Sequence, residues 1–202
     1  MTKVEFMRTL GLGGIGGLGI GIIVIIVVLL IVVAWIIGIY NGLIRLRTQV
    51  RAAWAQIDVQ LKRRHDLIPN LVETVKGYAA HEKQTLERVI AARQQAVAAT
   101  GPAQSAAAEN MLTGALRQLF ALSEAYPDLK ANVNFQQLSE ELTSTENRIG
   151  FARQHYNESV REYNQSIQVF PAVVFAGMFH FTAEEFYELE EQAQKEVPEV
   201  KF

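Results

Sequence analysis

The residues of this chain that could perform chemistry are few, and their spacing does not gather them into a reacting set. Its 4 histidines are His65, His81, His155 and His180, and it has no cysteine. Disulfides, thiolate nucleophiles and cysteine-ligated zinc are therefore excluded. Carboxylate-bridged metal bundles place a Glu three residues before a His on two helices and add further inward Glu residues. No histidine here has that neighbour; His155 and Glu158 stand in the reverse order and occur once, which reads as a surface pair. Gly-x-Ser-x-Gly, a Walker-type phosphate loop and His-Glu-x-x-His are all missing. The reading is of a protein that is not an enzyme, with no catalytic residue, no cofactor and no metal.

Two stretches imitate a dinucleotide site. Gly11-Leu-Gly13-Gly-Ile-Gly16 and Gly14-Ile-Gly16-Gly-Leu-Gly19 both fit GxGxxG. That fingerprint needs a preceding strand, a following helix and an acid about 20 residues on. Here a charge-free apolar run follows, and the next acid after Glu5 is Asp58, so the nucleotide reading is rejected. The four-residue spacing of Gly13, Gly17 and Gly21, repeated by Gly38 and Gly42, instead puts small residues on one helix face. Such a face admits close packing by a second membrane helix, or is merely glycine filling a lead-in segment.

A third candidate is the charged run Lys62, Arg63, Arg64, His65, Asp66. It offers a protein contact through Lys62, Arg63, Arg64 and Asp66, or it is a solvated helix end whose cations oppose the dipole. It stands 22 residues past Tyr40, roughly 33 Å along a straight helix, too far to touch the headgroups at that helix's own exit.

The elements that must position these residues begin with the apolar run. Thr9 to Ile44 carries no charge, and Ile22–Ile39 is almost wholly Ile, Val and Leu. About 20 such residues cross a hydrocarbon core of roughly 30 Å, so the segment is a membrane helix with length to spare. No small-residue cleavage site follows it, and Trp35 and Tyr40 sit where an interfacial aromatic belt would. Lys3 and Arg8 flank one side; Arg45, Arg47 and Arg51 flank the other. The positive-inside bias therefore favours a cytoplasmic body. Residues 40–202 hold 17 basic and 20 acidic side chains, a balance without the concentrated basic surface that nucleic acid requires.

Beyond Tyr40 the periodicity is helical and no strand-like alternation persists. One pattern holds Tyr40, Leu43, Val50, Ala53, Ile57 and Leu61. A second holds Ile68, Leu71, Val75, Tyr78, Leu86, Val89 and Ala92, with Pro69 marking a helix start. The third holds Met111, Ala115, Leu119 and Leu122. The fourth is a long seam from Phe135 to Ile167, opened by a capping pattern at Asn134–Gln137 and ended by Pro171. Thr182-Ala-Glu-Glu185 predicts one more short helix. The expected architecture is all-α: a single N-terminal transmembrane helix, then an antiparallel four-helix bundle with a short C-terminal helix. The expected segments are 1–9 (head), 10–40 (glycine-rich lead and membrane helix), 41–170 (bundle) and 171–202 (aromatic, then acidic).

On these seams Tyr78, Tyr156 and Tyr163 are expected in the core with bonded hydroxyls. Asn157 and Asn164, seven apart, share a face and are either satisfied polar groups that fix register or solvated ones. Residues 170–187 hold five phenylalanines, which close an end of the bundle or meet lipid or another subunit.

Several runs resemble the LemA family. They are Tyr40–Arg47, Ala53–Val72, Val75–Glu82, Tyr126–Asn132, Glu146–Arg153, Tyr156-Asn, Tyr163-Asn and Phe170-Pro171 with the aromatic tail. The likeness covers about residues 40–190. It implies a single-pass protein of the bacterial inner membrane, N-terminus outside and bundle in the cytoplasm, and supplies no reaction. Together these readings give a non-enzymatic scaffold, with the lipid bilayer and further copies of itself (a homo-oligomer) as partners. The alternative is a monomeric membrane-tethered adaptor that binds another membrane or cytoplasmic protein, such as a protease or regulator.

Overall fold

The computed structural model describes residues 12–188, with side chains from residue 19 onward. Among the described residues the protein is all-α and contains no strand. Helix α1 spans Leu12–Tyr78, α2 Lys83–Ala98, α3 Pro102–Ser123, α4 Pro127–Lys130, α5 Val133–Ser166 and α6 Ala172–Met178. The described residues group into two compact units, 12–45 with 166–182 and 46–165 with 183–188.

The apolar part of α1 reaches a mean hydropathy of 3.6, and none of that window is buried. It is long and apolar enough to cross a membrane. From Ile22 to Val33 its side chains are exposed, as a helix requires whose solvent is hydrocarbon.

Pro69 does not start a helix, contrary to the sequence expectation; it lies inside α1. A mid-helix proline normally leaves the carbonyl four residues earlier without its N–H donor. That carbonyl belongs to His65, and the Arg93 guanidinium donates to it from α2 through Nε at 2.7 Å. The orphaned acceptor is satisfied by a side chain, so α1 continues to Tyr78. The second apolar pattern of the sequence is thereby divided between α1 and α2, with the turn at residues 79–82.

The larger unit packs one apolar cluster in which Ile68, Leu71 and Val75 of α1 meet Leu86 and Val89 of α2. Leu112, Leu116 and Leu119 of α3, Leu129 of α4, and Phe135 and Leu142 of α5 complete it. The α3 seam matches expectation in part: Leu119 is buried and Ala115 packs against the cluster, but Leu112 and Leu116 are buried beside them and Met111 is exposed. Gly101, at φ 78°, makes the left-handed turn into α3 that other residues rarely adopt, and Pro102 follows at the first helical position.

The cap of α5 also differs. Asn132, not Asn134, accepts the Phe135 N–H on its Oδ1 at 3.0 Å, and the same amide donates to the Tyr78 hydroxyl at 2.9 Å. Tyr78 is bonded as expected but exposed rather than in the core. Thr182–Glu185 opens no helix within the described residues. The short helix is α6, ten residues earlier, and residues 181–188 run without regular structure. The physical reason lies in α5, whose side chains hold that segment's backbone.

Candidate functional site

Within the larger unit, two asparagines of α5 act as substitutes for peptide groups. Asn164 Oδ1 accepts the Glu184 N–H at 2.9 Å, and its Nδ2 donates to the Glu184 carbonyl at 2.9 Å. One heptad earlier, Asn157 Oδ1 accepts the Tyr187 N–H at 2.9 Å, while its Nδ2 donates to the Tyr187 carbonyl at 3.1 Å. An amide side chain carries both a donor and an acceptor in one plane, so it can satisfy both backbone groups of one residue. Between these clamps the Tyr156 hydroxyl donates to the Glu185 carbonyl at 2.7 Å. The irregular segment 184–187 is thus tied to a helix by five hydrogen bonds that ask nothing of its side chains.

Specificity comes from Tyr187. Its side chain is fully buried and meets Trp54 at a centroid distance of 6.0 Å; Tyr156 also meets the indole, at 5.5 Å. The Tyr187 hydroxyl has no hydrogen-bond partner. Burial pushes its pKa above the ordinary tyrosine value, Glu109 adds to the rise, and Arg64 and Arg153 oppose it. Burial also pushes the Tyr156 hydroxyl up to about 12, with Glu184 and Glu185 contributing. Both phenols remain neutral near pH 7.

Behind Tyr187 lies an interior ion cluster. Arg64 Nη1 is 2.9 Å from Glu109 Oε2 and 2.9 Å from Glu146 Oε2. Its Nη2 donates to Thr113 Oγ1 at 2.9 Å. The other Glu109 oxygen faces His65 Nε2 at 2.5 Å. Arg64, His65 and Glu109 are buried; Glu146 stands at the edge, where the cluster borders a cavity of about 210 Å³ lined also by Phe120 and Leu142. The cluster ties α1, α3 and α5 to one another. Because a buried charge must be compensated, a slip of one helix against another would cost Arg64 and Glu109 these partners. Every ionic group in it holds a partner within the chain, so the arrangement binds and orients the chain's own segments.

The sequence-derived sites fare unequally. Of the charged run, Lys62, Arg63 and Asp66 are exposed, but Arg64 is not. The expectation that Arg64 offers a protein contact is corrected, because its guanidinium points inward to Glu109, Glu146 and Thr113. Arg63 lies 3.5 Å from Glu141. Glu158 pairs with Arg161 at 3.0 Å. In the smaller unit, Trp35 meets Phe175 edge-on at 6.4 Å, and Tyr40 meets Phe179 and Phe181 at 5.0 and 5.7 Å. Gly13 and Gly17 lie outside the residues whose side chains are described. At Gly21, Gly38 and Gly42 an added Cβ would meet nothing within 4 Å.

Sequence reasoning passed over Glu109, Thr113, Glu146 and Tyr187. A signal existed: Glu109 occupies the same helix face as Ser105, Leu112 and Leu116, and Arg64 and His65 continue the face of Leu61 and Ile68. A charge inside an apolar seam marks a paired interior group.

Comparison with known proteins is consistent with this picture. The LemA family model matches residues 53–202. The chain is 28% identical over 138 residues to Protein LemA of Metamycoplasma hominis, covering 66% of this chain and 62% of that protein. It is 25% identical over 174 residues to magnetosome protein MamQ of Magnetospirillum gryphiswaldense, covering 73% and 64%. It is 24% identical over 182 residues to magnetosome protein MamQ 2 of Paramagnetospirillum magneticum, covering 77% and 67%. The match thus spans a little under two thirds of the first two relatives' own lengths.

Proposed function

This chain belongs to the LemA family, and from that premise we propose that it is a non-enzymatic membrane scaffold that self-assembles through its bundle, its apolar helix or both. The family and the apolar helix fit a membrane-associated protein. The observation that carries the finer reading is an open groove of about 730 Å³ between α1 and α5. Val59 is 63% and Phe151 74% exposed on it, and Ala55 and Ala152 line it with them. Gln60 Oε1, on the groove wall, is screened from water yet has no partner. Two large, exposed apolar side chains lining such a groove are the composition of a docking surface. The open faces at Gly21, Gly38 and Gly42 support a second contact within the bilayer.

In this reading the protein sits in the bacterial inner membrane with its N-terminus outside and its bundle in the cytoplasm. Exposed Arg45 and Arg51 support that orientation. Particle mass in mild detergent is the test, for the full chain, for Val59→Glu with Phe151→Glu, and for Gly17→Leu with Gly21→Leu. A uniform assembly that one or both pairs break supports the scaffold and names its contact. A uniform monomer in all three overturns it, and crosslinking that traps only foreign proteins then supports the adaptor.

A further inference from the structure

The second charge-free stretch of the chain is as informative as the first. Residues 163–183, between Glu162 and Glu184, contain no Asp, Glu, Lys or Arg. Their central part, residues 166–182, forms one compact unit with the apolar end of α1. The contacts are specific: Phe175 of α6 lies against Trp35, and Phe179 and Phe181 lie against Tyr40. Trp35 is inside the uncharged run Thr9–Ile44. A side chain stacked on Trp35 occupies the same depth as Trp35 itself.

The outward face of this segment is apolar and bare. Phe170 is 82%, Met178 66% and Val174 52% exposed, in a segment whose inward residues Ile167, Ala176 and Phe181 are buried. The backbone is closed on itself as well. Val173 donates to the Val169 carbonyl, Val174 to Pro171, Phe179 to Phe175, His180 to Gly177 and Phe181 to Ala176, and Pro171 has no N–H to satisfy. Irregular chain at membrane depth is tolerated only when its peptide groups find partners within the protein, and these five N–H groups do.

We propose that residues 169–179 are a second membrane element, a short wedge inserted among the acyl chains of the leaflet at the Trp35–Tyr40 end of the apolar helix. A helix of 7 residues is about 10 Å long and cannot cross the bilayer, so the segment enters one leaflet and leaves on the same side. The occupant of its bare face is lipid because that face is continuous with side chains of α1 that already require hydrocarbon. The inference goes beyond the scaffold reading and does not depend on self-assembly.

The absence of cysteine gives a direct test. Single substitutions Phe170→Cys, Val174→Cys and Met178→Cys, each spin-labelled in the full chain reconstituted in phosphatidylcholine–phosphatidylglycerol vesicles, are compared with Val28→Cys and Gln94→Cys. Collisions with oxygen, which concentrates in hydrocarbon, are set against collisions with a water-soluble nickel chelate. The logarithm of their ratio is expected to be positive at the three wedge positions and at Val28, and negative at Gln94. Values at the wedge matching Gln94 overturn the proposal. So does protection from both reagents at the wedge, which would mean that a second copy or another protein segment covers the face.

Discussion

Replacing Arg93 with methionine keeps most of the side chain's apolar stem but removes the donor that serves the His65 carbonyl at 2.7 Å. Pro69 has no N–H for that carbonyl, so a screened acceptor is left open, at a cost of about 1–3 kcal/mol. Pro69→Ala restores the helical N–H. By itself it should stabilise the bundle by about 1 kcal/mol: an interior proline costs about 3 kcal/mol, less the ~0.4–1 kcal/mol by which proline restricts the unfolded chain and less the hydrogen bond, worth about 0.5–1.5 kcal/mol, that Arg93 already supplies. In that background Arg93→Met has little left to remove and should cost under about 1 kcal/mol. The two sites should therefore couple by about 1–2 kcal/mol, within the range for residues sharing one interaction. The assay is urea unfolding in mild detergent, followed by the fluorescence of Trp54, which packs against Tyr156 and Tyr187. Trp35→Phe removes the other tryptophan. If Arg93→Met costs the same with proline and with alanine at position 69, the hydrogen bond is not what lets α1 pass through Pro69.

Three further outcomes are expected. Glu109→Gln should cost about 3–5 kcal/mol, because it leaves interior Arg64 and His65 poorly compensated. Glu146→Gln, which removes a partner at the same 2.9 Å from a carboxylate 46% exposed, should cost under about 1 kcal/mol; equal losses in urea would mean that burial is not what sets the cost. Tyr187→Phe deletes a hydroxyl without a partner and should leave the urea midpoint unchanged or raised, whereas Tyr156→Phe, which loses the bond to Glu185, should lower it by about 1 kcal/mol. The third concerns pH. Tyr156 titrates at about 12 in the folded chain, against about 10 unfolded, so the folded state holds a proton that the unfolded state releases between those values. That contribution to stability is complete below pH 10 and is lost as pH rises toward 12. Tyr156→Phe should flatten the alkaline fall in stability, and tyrosinate absorbance at rising pH provides the check.

Much of the architecture was legible because it is written in periodicity. The uncharged run had to be a membrane-length helix, and the seam from Phe135 to Ile167 had to be one long helix, since each rests on many residues that agree. What misled were local signals with a competing partner elsewhere in the chain. Pro69 carries the chemistry of a helix start, but Arg93 supplies from 24 residues away what the proline lacks. Thr182–Glu185 has the pattern of a helix cap, but Asn157 and Asn164 occupy the backbone groups that a helix would need. The Asn pair was visible as a shared face, and only its target, an irregular segment 20 to 30 residues downstream, could not be read from spacing. Arg64 looked like part of a surface charge run because its neighbours are one; its position on the Leu61–Ile68 face was the better guide.

The asparagine clamp has a consequence for the order of events during synthesis. Trp54 and Tyr156 leave the ribosome well before Tyr187, which is made 21 residues after the last residue of α5. At roughly 5–20 residues per second, a nascent chain holds a completed α5 without its strap for about one to four seconds. Throughout that interval a two-rung amide ladder and an aromatic socket stand open, and the speed of translation past residue 166 sets how long they wait for the chain's own segment.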